Sequence, residues 1–375
     1  MINVRGRWIG VQLALVLALA GAVFIDASGA AGAVTRHGGG AVYSMTNDAV
    51  GNEVVIYHRA SNGALDMVEK VSTGGLGTGA GLGSQGALIL SSNKKWLFAV
   101  NAGSNDISQF AVQPGGALDL VDVESSAGST PESIALHGRL LYVLNAGSDS
   151  ISGFRVSRIG LSPLSGSTRP LSGNGTDPAQ LEFSPAGDLL VVTEKATNLI
   201  DTYTVGHDGL PSGPQTHPSE GQTPFGFAFT RRHLVVSEAF GGAPGASALS
   251  SYFAARSGDL SPISSSVPDL QTAACWVVIG GKGRFAYTTN TGSNNVSSYT
   301  IGRKGELTLL DPEAGLTGGG PTDAALSRGG RYLYVLNSTD GTISSFRVRS
   351  DGSLLQAAFS AGGLPPGSAV GIAAF

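Results

Sequence analysis

The sequence predicts an all-β chain folded as a seven-bladed β-propeller, with its ring closed by the C-terminal strand completing blade 1. Three observations carry this. An apolar residue followed three positions later by an aromatic recurs seven times, from Val54/Tyr57 through Ile107/Phe110, Ile151/Phe154, Ile200/Tyr203, Leu249/Tyr252 and Val296/Tyr299 to Ile343/Phe346. The aromatics are spaced by 53, 44, 49, 49, 47 and 47 residues, a period that marks a repeat architecture. The last residues, 369–375, align with Pro224–Thr230, which opens a repeat, although the first repeat lacks that segment. A terminal strand that supplies the missing piece closes a ring and leaves no unpaired blade.

Each repeat divides into four strand-like runs, A to D, from inner to outer. Strand A opens with Pro in four copies (Pro131, Pro178, Pro224, Pro321); Gln85–Leu90 and Ala274–Ile279 match without it. Pro is tolerated there because the first strand residue needs no ladder N–H. Strand B is apolar and β-rich, as in Leu140–Leu144 and Leu189–Thr193. Strand C carries the aromatic and alternates with period two. A Gly-marked turn follows and ends at a Leu (Leu65, Leu118, Leu161, Leu210, Leu260, Leu307, Leu354). Strand D is the most polar, as suits an outer edge. The Gly-rich stretch Gly74–Gly83 reads as a loop between blades 1 and 2.

Composition agrees. Gly is 56 of 375 residues and charged residues make up 13%, which favours short strands and many turns over helices. A net charge of -4 leaves no basic footprint for nucleic acid. Residues 1–33 read as a signal peptide: Arg5 and Arg7, the uncharged run Trp8–Ile25, then the small-x-small site Ala31-Gly32-Ala33. The competing reading is an uncleaved membrane anchor. A propeller over residues 34–375, secreted or periplasmic and monomeric, is the expectation. Cys275 is the one cysteine, so no internal disulfide forms; it reads as a small apolar core residue.

Each strand B ends in a polar residue: Asn47, Asn101, Asn145, Glu194, Glu238, Asn290 and Asn337. The Asn residues suit tight turns. Glu194 and Glu238 replace Asn in adjacent blades and are expected as rim neighbours. Two close carboxylates hold a divalent cation or work as base and acid; the alternative is two solvated charges. The starts of the A strands, expected at the same channel mouth, contribute Gln85, Glu132, Ser133, Gln180, Phe225, Trp276, Thr322 and Asp323. Phe225 and Trp276 are either a stacking platform or core. The blade 5 B–C loop is longer than its counterparts, with the extra residues in 240–246, and suits a lid. The His residues are scattered, and there is no His-x-His or Cys-x-x-Cys metal pattern. No cofactor is expected beyond a possible divalent cation.

Leu141–Ser148 and Tyr334–Asn337, each followed by Ile-Ser-x-Phe, resemble the lactonase family of seven-bladed propellers, over roughly residues 41–375. That family includes 6-phosphogluconolactonase and is similar to the fungal carboxymuconate cyclase. The resemblance implies the propeller and lactone hydrolysis, with His, Arg and Glu side chains at the channel mouth. This chain departs from that pattern: Glu132-Ser133, Phe225-Gly226 and Thr322-Asp323 stand where relatives carry His, and cations are nearly absent. Two functions are therefore expected. One is lactone hydrolysis by water attack, with Glu194 or Glu238 as base. The other is non-catalytic binding of a sugar, small molecule or protein on the same face.

Overall fold

The computed structural model describes residues 39–357 and 361–375. The expected signal segment, its cleavage site after Ala33 and His37 lie outside them. Among the described residues, no helix is long and apolar enough to cross a membrane.

Seven antiparallel sheets follow one another around a ring. Their inner A strands are Val370–Ala374 in blade 1, then Leu88–Leu90, Pro131–His137, Pro178–Phe183, Pro224–Thr230, Ala274–Gly280 and Pro321–Leu326. The B strands are Gly40–Met45, Trp96–Asn101, Leu140–Asn145, Leu189–Glu194, His233–Glu238, Phe285–Asn290 and Tyr332–Asn337. Blade 1 is completed as expected: Val370–Ala374 pairs with Gly40–Met45, in the register Ser44↔Ile372 and Tyr43↔Ala373. Irregular structure includes three single-turn 3-10 segments, one of them Phe240–Gly242 in the long blade 5 loop.

Burial follows the period-two pattern. In strand A, the residue at the fourth position packs between blades: Leu88, Ile134, Leu181, Phe227, Val277, Ala324 and Ile372. The strand C aromatics fill the same seams and are fully buried. Strand B tyrosines tie neighbouring blades together at one end. The hydroxyls of Tyr43, Tyr142, Tyr287 and Tyr334 donate to the carbonyls of Gly116, Gly209, Gly352 and Gly63, each in the next blade's C–D turn. The Tyr334 bond joins blade 7 to blade 1. A–B and C–D turns thus share one face of the ring, and B–C and D–A loops share the other.

Blade 2 departs from the expected pattern. Its A strand is only Leu88–Leu90, not Gln85–Leu90. Residues 84–86 leave the ladder and cross the end of the central channel. Ser84 Oγ donates to Glu132 O (2.8 Å), Gln85 N–H to Ala179 O (3.0 Å), and Ile134 N–H to Gly86 O (2.9 Å).

Candidate functional site

Strand A is a sheet edge, and its outward backbone groups face the channel unpaired unless something meets them. Side chains do. Leu181 N–H donates to Ser133 Oγ (3.1 Å) and Phe227 N–H to Gln180 Oε1 (2.6 Å). Val277 N–H donates to Gln85 Oε1 (3.1 Å), and Gln85 Nε2 returns a bond to Val277 O (3.0 Å). Asp323 accepts from Ala324 N–H (2.7 Å) and from the backbone of Ile372 and Gly86. Blade 5 has Gly226 at this position, and a Cβ there would collide with Gln85 Oε1 and Cys275 O. Gln85 thus stands where a blade 5 side chain would be.

This divides the expected ligand-binding set: Gln85, Gln180 and Asp323 line the channel cavity, whereas Glu132, Ser133, Phe225 and Trp276 do not. Ser133, Gln180, Gln85 and Asp323 converge on the channel, but their polar atoms are bonded to neighbouring backbone. Trp276 donates from Nε1 to Ser84 O (2.8 Å), and its ring lies 5.1 Å from that of Phe225. Both rings are buried with Ala179 and Cys275, so they form core under the crossing segment and offer no open platform. Lys195 covers Phe225 at 4.9 Å and bonds Gly83 O (2.7 Å) and Asp177 (3.2 Å). Glu132 is also buried; its Oε1 has no hydrogen-bond partner, and burial pushes its pKa well above the carboxylate range.

Nor do Glu194 and Glu238 meet at a rim; both are fully buried. Each turns along its own blade, as Asn101 does toward Asp106 Oδ1 (2.6 Å) and Ser108 Oγ (2.8 Å). Glu194 accepts from Ser172 N–H (3.0 Å), Ser172 Oγ (2.5 Å) and Thr197 Oγ1 (2.6 Å), and lies against Asp201. Glu238 accepts from Ser250 Oγ and from Ser266 Oγ (2.6 Å), and burial raises its pKa. Each carboxylate is thus engaged by Ser and Thr donors around its own strand end. Among the described residues, no three His, Cys, Asp or Glu side chains are placed to hold a metal. Asn47 differs from the other strand B termini, since its amide bonds Thr78 and Ala80 of the Gly-rich loop.

With one end crossed by residues 84–86, the channel opens on the opposite face. There it forms a cavity of about 820 Å³ with an adjoining lobe of about 320 Å³. Between them the lobes take in the fifth strand A residue of every blade: Ile89, Ala135, Glu182, Ala325 and Ala373 line the larger, and Glu182, Ala228 and Val278 the smaller. Six of these seven are apolar. Glu182 borders both lobes and carries one hydrogen bond, from Gln180 Nε2 to its Oε2 (3.1 Å). Part of its surface meets the void, but protein surrounds it, and that desolvation pushes its pKa to about 8. Asp323, at the closed end, is also raised by burial to about 8, against the pull of its backbone N–H bonds. Lys95, Arg139 and Arg158 stand at the entrance. Sequence reading looked to the other face and missed Glu182. Its signal was present: the other A strand copies carry Ala, Val or Ile where Pro178–Phe183 carries Glu.

The profile of the family described as "Lactonase, 7-bladed beta-propeller" matches residues 36–161 and 244–367. No curated protein matches the sequence. Among solved structures, the chain is similar to a candidate 6-phosphogluconolactonase from Bacteroides fragilis, at 19% identity and TM-score 0.72, over 90% of this chain and 98% of that one. It is also similar to the periplasmic gluconolactonase of Pseudomonas aeruginosa, at 16% identity and TM-score 0.69, over 88% and 98%. At such identities the likeness is one of fold. The ring of seven sheets and the match over most of its length agree: the chain belongs to the lactonase family of seven-bladed β-propellers.

Proposed function

We propose that this propeller hydrolyses a lactone in the channel cavity, with Glu182 as the general base. The observation that carries the reading is one carboxyl in an otherwise apolar ring, with its pKa raised toward the range a base needs near neutrality. Ionised Glu182 takes a proton from water as the water oxygen bonds the lactone carbonyl carbon. The ring C–O bond then breaks, and the leaving alkoxide takes the proton back from Glu182, giving the open hydroxy acid. Family membership supports the reaction class.

A second reading is binding without turnover. It is favoured by the amide donor nearest Glu182: Gln180 Nε2 already bonds Phe227 O (2.9 Å) and Glu182 itself, which leaves it poorly placed to stabilise an oxyanion. One experiment separates the two. A panel of neutral and phosphorylated lactones is presented to the protein and to Glu182→Gln, with hydrolysis and binding measured together. Turnover lost in the variant supports hydrolysis. Saturable binding without turnover in either protein supports the binder.

Export to the periplasm or beyond, as a monomer, is part of the same proposal. It rests on Trp8–Ile25 and Ala31-Gly32-Ala33. Sequencing the mature N-terminus tests it, with residue 34 expected first.

A further inference from the structure

The charges of the loops are sorted by face. The A–B and C–D turns together hold fourteen Lys and Arg residues against five acidic ones. The B–C and D–A connections on the other face hold Lys195 alone against six acidic residues. A net charge of -4 for the whole chain hides this separation. The cations are spread over the blades; Lys282, Arg303, Lys304 and Arg328 are all exposed. Crowding by Arg328 and Arg59, after burial, lowers the Lys94 pKa.

Two further observations concern the same face. Ile159 is 91% exposed at the tip of the blade 3 C–D turn, directly after Arg158, and Phe253 is 44% exposed three residues before Arg256. The chain also enters the propeller here, since Gly40 pairs with Arg59.

We infer that this face docks on an anionic lipid bilayer. Cations distributed over a disc match a charged plane better than a groove-bound polymer, and each Lys or Arg near such a surface adds attraction that salt screens. Exposed apolar tips among cations reach the acyl boundary. The cavity opens on this same face, with Lys95, Arg139 and Arg158 at its entrance, so docking would turn that entrance toward the bilayer; the attraction itself comes from the turn residues, and Glu182 supplies none of it.

The test is flotation of the mature chain, residues 34–375, with vesicles of phosphatidylglycerol and phosphatidylcholine, against phosphatidylcholine alone. Partitioning is expected to be at least ~10-fold stronger on anionic vesicles and to fall at high salt. The combined variant Lys282→Glu, Arg303→Glu, Lys304→Glu, Arg328→Glu is expected to lose at least ~10-fold of that preference with its melting temperature kept. A milder pair, Lys282→Gln and Arg303→Gln, is expected to lose it severalfold should the quadruple variant fold poorly. Ile159→Ser is expected to weaken vesicle binding but not binding to soluble polyphosphate. Equal binding to both vesicle types, or reversal variants that bind like the parent, would overturn the inference. So would polyphosphate displacing the vesicles with Ile159→Ser without effect, which would make the partner a soluble polyanion.

Discussion

Gln85 and Val277 are 192 residues apart in sequence, and the amide of one bonds both the N–H and the C=O of the other. This pairing holds the segment that closes one end of the channel. Gln85→Ala leaves two buried backbone groups unmet and opens a void beside Gly226. It is expected to destabilise the protein by about 2–3 kcal/mol, read as a lower midpoint in urea unfolding. An unchanged midpoint would mean that the crossing segment is held from elsewhere.

Ring closure rests on few residues. Val370–Ala374 completes blade 1, and Ser44 Oγ, Ser338 Oγ and Ser368 Oγ bond across the closing seam. Removal of residues 369–375 is expected to abolish cooperative unfolding, monitored by circular dichroism on heating. A truncated chain that melts like the full one would refute the closure.

Asp201 lies on strand C against Glu194. Its pKa is raised to about 8, first by burial and then by the Glu194 charge. A carboxyl raised in the folded state stabilises fully below its unfolded pKa of about 4, and that stability is lost as pH rises through 8. Unfolding free energy is expected to fall between about pH 4 and 8, on the order of a few kcal/mol. Asp201→Asn is expected to flatten the slope. An equally steep profile in the variant would assign the dependence to Glu182 or Asp323, whose pKa values are raised to the same range.

Glu194→Gln and Glu238→Gln are expected to keep lactone turnover within about twofold, because neither carboxylate lines the cavity. Each is expected to lower the melting temperature, since Ser172, Thr197, Ser250 and Ser266 donate to these oxygens. Steady-state rates beside melting curves check both halves.

The repeat was legible because each copy keeps its seam residues. The apolar residue and the aromatic of strand C, from Val54/Tyr57 to Ile343/Phe346, are buried in every blade. The site was less legible. Gln85 was expected to begin a strand, and its neighbours match one; only the three-dimensional ring shows that Gly226 leaves space for its side chain. Glu194 and Glu238 stood out by replacing Asn. A carboxylate can take over the Asn role by accepting from hydroxyls, and that chemistry does not show in a one-letter comparison. Glu182 was readable by comparing copies position by position, but it points to the face opposite the expected mouth.

The most direct test of the central claim is the pH profile of lactone hydrolysis for the protein and for Glu182→Gln. Turnover is expected to rise with pH to a plateau above about 8, as Glu182 ionises. The variant is expected to lose at least ~100-fold in kcat with its melting temperature held. A variant that turns over like the parent would contradict the account, and would place the chemistry of this propeller outside the channel cavity.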